Sequence, residues 1–276
     1  MLLSEFIRNV TEEFKKIGIP TPLLDAQLLI SHVLGIEKHE LNLRSGALLD
    51  ERQLKDIRKL VTRRLAFEPV AYIIKNREFY SLPFFVNRDV LIPRPETELV
   101  VDMVIYYARQ NGRVLDLGTG SGAIAVAVKY NRPDLNVCAS DISDRALRVA
   151  KKNSNSIIGK GAISFFCGHL FEPFPGERFD VIASNPPYVN SDISDTLQKE
   201  LSFEPPLAIF TGDKGRSLIK KIVDEGGEYL SDKGILILEI GFDMKDYVLS
   251  AAEKGGYRAS VMNDYAGLPR LAVLKT

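Results

Sequence analysis

The sequence predicts an α/β protein in which a doubly wound, mostly parallel sheet follows a small helical domain and a β-hairpin linker. Residues 1–68 show only the periodicity of helices, and residues 69–96 hold β-formers around a turn. In residues 97–276 strands alternate with helices. Such alternation is typical of sheets whose parallel strands are joined by crossover helices, with the sheet covered on both faces.

The helical domain is expected to contain three helices. In the first, apolar residues recur every three or four positions until Gly18 ends the pattern. Pro22 suits the first turn of the second helix, and Gly35 suits its end. The third helix begins with a capping-box pattern formed by Asp50 and Gln53. Together these helices form a separate amphipathic unit.

The sheet region is predicted from short β-rich runs separated by helical ones. The runs read as strands are RVLDLG, NVCASD, ISFFC, FDVIASN and GILILEIG. The tail adds a further helix and two short strands, YRASVMN and RLAVLK. The last strand follows its predecessor through a loop too short for a crossover helix, so we expect it to be antiparallel.

The composition excludes several classes of protein. Among 276 residues, 36 Lys and Arg balance 36 Asp and Glu, so no net field attracts nucleic acid or an anionic membrane. There is no cysteine and histidine spacing of a metal site, no secretory signal and no apolar run of membrane-spanning length. We therefore expect a soluble, cytoplasmic protein without a bound metal.

A glycine-rich loop indicates a cofactor site. In VLDLGTGSGAI a strand runs into Gly118, Gly120 and Gly122, and a helix follows, which lets the backbone approach a ligand at the helix N-terminus. Asp116 precedes the first glycine, where a carboxylate repels a pyrophosphate but can bind an ammonium. Asp141 ends the next strand and can accept from ribose hydroxyls. S-adenosylmethionine has a ribose and an ammonium but no phosphate, so it suits this loop better than a dinucleotide.

The segment IASNPPYVN points to a planar nitrogen as the acceptor. Asn185 ends a strand, Pro186 and Pro187 stiffen the chain, and Tyr188 follows. The Asn side-chain oxygen and a neighbouring carbonyl can together accept both hydrogens of an NH2 group, while the tyrosine ring packs on its plane. Drawing electron density back onto that nitrogen makes it a better nucleophile towards a sulfonium methyl group.

Several motifs together resemble one known family. SNPPYV is similar to the signature of amino-methyltransferases that act on planar nitrogen. The further motifs are LIPRPETE, LDLGTGSGAIAVAV, FEPPLAIFTGDKG and DYAGLPR. With the helical N-terminal domain and the EPVAYI linker, the chain resembles the HemK/PrmC family of protein-glutamine methyltransferases over nearly its whole length. Lys75 stands where the family usually has glycine, so we expect the linker turn to differ slightly.

The resemblance implies a Rossmann-like methyltransferase sheet and a specific reaction. Members of this family transfer a methyl group from S-adenosylmethionine to the side-chain amide nitrogen of the glutamine in the Gly-Gly-Gln motif of class I peptide-chain release factors. The implied partner is thus a release factor, with residues 1–68 as a substrate-recognition domain. His169 replaces an aspartate expected to meet the adenine amine, and its neutral imidazole could accept that hydrogen bond.

The residue pattern and the resemblance together give the predicted site. The catalytic residues are Asn185, Pro186 and Tyr188. The substrate-binding residues are Asn185, Pro186, Pro187, Tyr188, Arg94, Thr97 and Glu98. The cofactor-binding residues are Asp116, Gly118, Thr119, Gly120, Ser121, Gly122, Asp141, Ile142, His169, Leu170 and Asn185.

Three other functions and two further features stay open. An adenine-N6 methyltransferase on DNA or RNA would use the same Asn and Tyr, but it needs a basic binding face. A nicotinamide oxidoreductase has no use for NPPY, and a non-catalytic adaptor has no use for the full constellation. Glu239 could reach the pocket or be a solvated strand end. Lys55, Lys59 and Arg63 form a helix-face stripe that is either solvated or a docking surface for the protein substrate.

Overall fold

The computed structural model describes residues 1–190, 199–211, 213 and 215–276. Gly212 and Lys214 of the FEPPLAIFTGDKG motif lie outside these residues. The chain divides into two compact units. The first comprises residues 1–76 and the short 3-10 helix Lys199–Phe203, and the second comprises the rest of the described chain from residue 77.

The first unit is helical. Its α-helices are α1 (Leu3–Lys16), α2 (Pro22–Leu34), α3 (Glu40–Leu43), α4 (Glu51–Leu65) and α5 (Val70–Ile74). Their apolar faces meet in one core that includes Phe6, Phe14, Leu29 and Ile57. Burial of one apolar side chain of this size contributes roughly 1.5–3 kcal/mol to the free energy of folding, so this core is the main source of the stability of the unit.

Local sequence signals fix the helix ends in this unit. The Asp50 carboxylate accepts from the Gln53 amide at 2.7 Å, and the Gln53 side chain accepts from the Asp50 amide at 3.0 Å, which is the predicted capping box. Gly35 ends α2 in the left-handed conformation. Lys75 ends α5 with a φ of +57°, so the backbone here adopts the conformation that glycine favours, although a lysine occupies the position.

The helical unit extends beyond the predicted boundary at residue 68. Helix α5 lies within the span that the sequence assigned to the linker, and the unit continues to residue 76.

The unit also contains a buried ion cluster. The Arg64 guanidinium donates to Asp25 at 2.7 Å and to Glu200 of the 3-10 helix at 2.5 Å. Two carboxylates around one buried arginine satisfy its charge where water cannot reach it.

The second unit begins with a short hairpin, β1 (Arg77–Phe79) and β2 (Leu82–Phe84). Its two-residue turn, Tyr80 and Ser81, has positive φ at both positions, which is the turn whose twist matches antiparallel strands. The 3-10 helix Pro95–Thr97 then leads into the sheet region.

A seven-stranded sheet forms the centre of the second unit. Its strands are β3 (Arg113–Leu117), β4 (Asn136–Asp141), β5 (Ser164–Cys167), β6 (Phe179–Ser184), β9 (Leu230–Glu239), β10 (Arg258–Asn263) and β11 (Pro269–Lys275). A separate two-stranded pair consists of β7 (Val189–Asn190) and β8 (Phe210–Thr211). The helices are α6 (Glu98–Tyr107), α7 (Ala123–Asn131), α8 (Asp144–Ile157), α9 (Arg216–Tyr229) and α10 (Lys245–Lys254).

The strand order is β10-β11-β9-β6-β3-β4-β5. The pairs from β9 to β5 are parallel, and β11 runs antiparallel to both β9 and β10. The predicted fold class, a mostly parallel sheet with an antiparallel last strand and a helical N-terminal region, is confirmed. Among the described residues, no helix is both long and apolar enough to cross a membrane.

The register of the central strands positions the predicted site. Leu117, the last residue of β3, pairs with Ser140 of β4 on one side and with Ser184, the last residue of β6, on the other, so these strands finish side by side. Gly118 directly follows β3, Asp141 ends β4, and Asn185 directly follows β6. Because the strands are parallel, all three residues stand at the same edge of the sheet, where ligands bind in such folds.

Candidate active site

A cavity of about 370 Å³ lies at this edge of the sheet. The predicted residues that line it are Gly118, Gly120, Asp141, Ile142, His169, Leu170, Asn185, Pro186 and Pro187. Its wall includes apolar side chains that are open to solvent, with Ile142 exposed by 60% and Leu207 by 79%. An apolar wall beside a few polar groups suits a flat heterocycle such as adenine.

The glycine loop between β3 and α7 exposes backbone to the cavity. Gly118 and Gly120 have φ values of +70° and +56°, and a methyl group added to either would meet no atom within 4 Å. At Gly122 an added Cβ would lie 3.1 Å from the Cβ of Ala150. The first two glycines therefore leave room for a ligand, whereas the third lets α7 pack closely on α8.

The Asp141 carboxylate is held in the cavity wall by two backbone donors. The Gly120 amide donates to Oδ2 at 2.9 Å, and the Ser143 amide donates to Oδ1 at 2.8 Å. Burial raises the pKa of Asp141, and these two hydrogen bonds act in the opposite direction. The carboxylate is thus fixed in position, and its remaining lone pairs can accept from vicinal hydroxyls.

Asp116 lies beneath the loop, almost fully buried. Its Oδ2 accepts from the Thr119 hydroxyl at 2.6 Å and from the Ala125 amide at 3.1 Å. Its Oδ1 has no hydrogen-bond partner among the described residues. Burial raises the pKa of Asp116 to about 7, against the effect of these donors. An unpartnered buried carboxylate oxygen next to the glycine loop fits the ammonium of S-adenosylmethionine.

The side chain of Asn185 is oriented by a hydrogen bond to a buried residue outside the cavity lining. Its Nδ2 donates to the Thr97 hydroxyl oxygen at 3.0 Å, and the Thr97 hydroxyl donates to Glu239 Oε2 at 2.6 Å. Thr97 is buried and does not line the cavity. Among the described residues, Asn185 Oδ1 accepts no hydrogen bond, so it is available to a ligand.

Glu239 is hydrogen-bonded to two predicted site residues, whereas the sequence left open whether it reaches the pocket or is a solvated strand end. The carboxylate ends β9 and is 1% exposed, so the interpretation of a solvated strand end is wrong. Its Oε1 accepts from the Tyr188 hydroxyl at 3.0 Å, and burial raises its pKa. A glutamate at the end of an apolar strand was the available signal, but its partners are far away in the sequence.

Tyr188 is engaged by its hydroxyl group. Besides donating to Glu239, this hydroxyl accepts from Arg270 at 3.4 Å, and the Arg270 Nε donates to Asp264 at 3.2 Å. Burial and the neighbouring Glu239 raise the pKa of Tyr188 above its usual value. The phenol therefore stays protonated near neutral pH.

The first turn of α9 supports the NPPY backbone. Gly215 has a φ of +77°, and a Cβ at this position would lie 2.5 Å from the Pro187 carbonyl oxygen and 3.0 Å from the Tyr188 Cα. Only glycine permits this close approach without a shift of the loop. The glycine of the DKG sequence thus has a local steric role next to the site.

Some predicted site residues lie outside the cavity lining. They are Arg94, Thr97, Glu98, Asp116, Thr119, Ser121, Gly122 and Tyr188. Arg94 donates to the buried Glu204 at 2.6 Å, and Glu98 accepts from the Tyr80 amide at 2.8 Å. The Ser121 carbonyl accepts from Asn153 at 2.8 Å. The contacts of Arg94, Glu98 and Ser121 support the structure around the cavity.

Other lining residues were not anticipated from the sequence. They are Asp89, Val90, Leu91, Leu117, Ser140, Ser143, Ala146, Gly168, Ser184, Pro205, Leu207, Ala208, Phe210, Thr211, Leu218 and Ile222. The group around residue 90 comes from the predicted linker, and that from 205 to 211 comes from the FEPPLAIFTGDKG motif. The motif itself was a signal, but its position beside the cavity depends on the pairing of β7 with β8.

In the helical unit, two of the three side chains of the predicted basic stripe are paired with carboxylates of the same unit. Arg63 donates to both carboxylate oxygens of Glu68 at 2.8 Å, and Lys59 donates to Asp56 at 2.7 Å. Lys55 is exposed. An arginine held by a carboxylate in this way offers less charge to a partner than the sequence suggested.

Comparisons with known proteins identify the family and the fold. Residues 5–74 match the family described as the PrmC N-terminal domain, and residues 96–206 match the methyltransferase small domain. A solved methyltransferase from Pyrococcus furiosus has a TM-score of 0.54 at 18% identity, covering 78% of this chain and 96% of its own. This likeness shows the methyltransferase fold.

Relatives at higher identity extend over most of the chain. The release factor glutamine methyltransferase of Neisseria gonorrhoeae is 40% identical over 257 residues, which cover 92% of this chain and 93% of the relative. That of Aliivibrio fischeri is 36% identical over 275 residues, covering 99% and 95%. The resemblance predicted from the motifs is confirmed. The chain therefore belongs to the family of release factor glutamine methyltransferases.

Proposed function

We propose that this protein methylates the side-chain amide nitrogen of the glutamine in the Gly-Gly-Gln motif of class I release factors, using S-adenosylmethionine. One observation carries the proposal: Asn185 donates its NH2 group to Thr97 and keeps Oδ1 for a ligand at the cavity. A free acceptor at this place can bind an N–H of a primary amide. The backbone carbonyl of the neighbouring Pro186, a residue of the lining, would bind the second N–H.

The chain supplies orientation and electrostatic stabilisation. When bound, S-adenosylmethionine would supply a methyl group from its sulfonium: an S–C bond would break as an N–C bond formed, leaving a neutral thioether, and the amide nitrogen would give one proton to solvent. Asn185 and Pro186 aim the nitrogen and stabilise the positive charge that develops on it. Since the methylated cation loses its proton readily, we assign no general base among the residues of the cavity.

The cofactor-binding roles follow from the residues in the wall. Asp141 would accept from the ribose hydroxyls, and Ile142 and Leu170 would cover the adenine. Asp116, buried beneath the glycine loop, would face the ammonium with its unpartnered Oδ1. Supporting this assignment are the fixed Asp141 carboxylate and the unpartnered Asp116 Oδ1. His169 lines the same cavity and would contribute an acceptor to the adenine amine.

The helical unit would choose the protein substrate. Every glutamine presents the same amide, so selection of one glutamine in one protein requires a second contact surface whose binding energy helps to position the reacting group. We assign this role to residues 1–68, with the exposed Lys55 as one contact. Because release factors act in translation, the reaction would take place in the cytoplasm.

Labelled methyl transfer tests this function directly. The protein is incubated with methyl-labelled cofactor and a release factor, and in parallel with the same release factor carrying alanine in place of the motif glutamine. We expect label only in the first. A third arm with DNA or RNA tests the adenine-N6 alternative: label there, and none in the release factor, would overturn the proposal.

A further inference from the structure

Glu239 is a buried carboxylate that the reaction described above does not use. It receives two hydroxyl donors, Thr97 at 2.6 Å on Oε2 and Tyr188 at 3.0 Å on Oε1. Thr97 in turn lies 3.0 Å from Asn185 Nδ2. A chain of hydrogen bonds thus connects the end of β9 with the residue that faces the acceptor amide.

The direction of each hydrogen bond in this chain is fixed from its two ends. Arg270 is always charged and can only donate, so the Tyr188 oxygen accepts and its single proton goes to Glu239. An ionised Glu239 can only accept, so the Thr97 proton also goes to Glu239. The Thr97 oxygen is then an acceptor, and it must be met by the NH2 group of Asn185.

We propose that Glu239 and Thr97 are positioning residues that orient the Asn185 amide, so that its oxygen and not its NH2 group faces the substrate. An asparagine amide has nearly the same shape in its two flipped orientations, but only one of them can accept from a substrate N–H. The other would present donor against donor. The inference rests on the proposed function, since it assumes an NH2 group as acceptor of the methyl group.

The ionisation of Glu239 is part of this device. Burial raises the pKa of Glu239, the Thr97 and Tyr188 hydroxyls and the Arg270 charge oppose the rise, and the charge of Glu96 adds to it. A protonated Glu239 could donate to Thr97. Thr97 would then donate to Asn185, which could accept only with its oxygen turned away from the substrate. We therefore expect the active orientation to be lost as pH falls through the raised pKa of Glu239.

The decisive variant is Thr97→Val, which keeps the shape of the side chain and removes the hydroxyl. At saturating cofactor and release factor, we expect kcat to fall by up to about tenfold, the effect of one lost neutral hydrogen bond. Thr97→Ser retains the hydroxyl and should keep most of the activity. Cofactor affinity, measured by calorimetry, should not change, since Thr97 does not line the cavity.

A double-mutant cycle separates positioning from general damage. In an Asn185→Ala background, Thr97→Val should cause almost no further loss, because the residue that it orients is absent. Equal losses in both backgrounds, or a wild-type kcat for Thr97→Val, would overturn the inference. If the unmodified protein did not methylate a release factor, the proposed function itself would fail, and that result is distinct.

A pH profile provides the answer if Thr97→Val does not fold. The kcat of the unmodified protein should decline towards acid pH as Glu239 takes up a proton. The residual rate of Asn185→Ala should not follow this decline, because no amide remains to be turned. Parallel declines in the two proteins would contradict the inference.

Discussion

The proposed cofactor side and the proposed acceptor side of the cavity are built in different ways. On the proposed cofactor side, β3, the loop after it and the end of β4 contribute backbone amides and the two carboxylates Asp116 and Asp141, within about 25 residues of sequence. On the acceptor side, Asn185 depends on Thr97, which lies 88 positions away in the sequence. Thr97 in turn depends on Glu239, which lies 142 positions from Thr97.

This difference decides how each side responds to substitution. Backbone donors remain when a side chain is changed. A single substitution on the cofactor side should therefore remove one contact and lower the affinity for S-adenosylmethionine only by the contribution of that contact. The acceptor side is a chain of side chains with fixed donor and acceptor directions, so one change there alters the orientation of the next group. The following predictions separate binding from turnover along this division.

Asn185→Ala should have the largest effect. Loss of a preorganised acceptor typically lowers kcat by about 10²–10³-fold, and we expect this loss on a release factor substrate. Cofactor affinity should stay near that of the unmodified protein. Single-turnover methylation and calorimetry measure the two quantities, with the exposed Asn155→Ala on α8 as the matched control. A near-normal rate would remove Asn185 from the role assigned to it.

Asp141→Ala should chiefly weaken the binding of S-adenosylmethionine. A hydrogen bond to a charged group contributes about 1.5–3 kcal/mol, so the Kd for S-adenosylmethionine should rise by about one to two orders of magnitude. Turnover at saturating cofactor should fall much less. Asp232→Ala, at an exposed position in β9, is the control. Unchanged affinity in a folded Asp141→Ala protein would contradict the assignment to the ribose.

The pH dependence of cofactor binding should report Asp116. With a pKa of about 7, about half of the carboxylate is ionised at pH 7 and about one-tenth at pH 6. A cationic ammonium binds the ionised form, so the Kd should rise about fivefold as pH falls from 7 to 6. Asp116→Asn should bind more weakly and lack this change. The same slope in both proteins would assign the titration to another group.

The smallest effect is expected in the helical unit. Lys55→Glu reverses an exposed charge on α4 and should raise the KM for the release factor about two- to threefold, in the range of rim charges at protein interfaces. Cofactor affinity should not change. Lys254→Glu, exposed at the end of α10, is the control. Equal effects of both substitutions would indicate net charge instead of a docking contact.

The sequence by itself determined the alternation of strands and helices, the glycine loop and the NPPY segment. These features are local: periodicity, capping residues and glycine spacing act within a few positions. Parallel strands bring their carboxyl ends to one edge, so the sequence also determined that Gly118, Asp141 and Asn185 lie close together. The family resemblance followed from the same segments.

Only the tertiary structure decided what stands behind Asn185. Thr97 was expected in the pocket wall and Glu239 at a pocket or a solvated end, yet both are buried and hydrogen-bonded to each other. The sequence shows that these side chains are polar, but it does not show the direction in which a proton is shared between them. That direction depends on which donors and acceptors the packing of β9 and the turn before α6 brings within 3 Å, away from water.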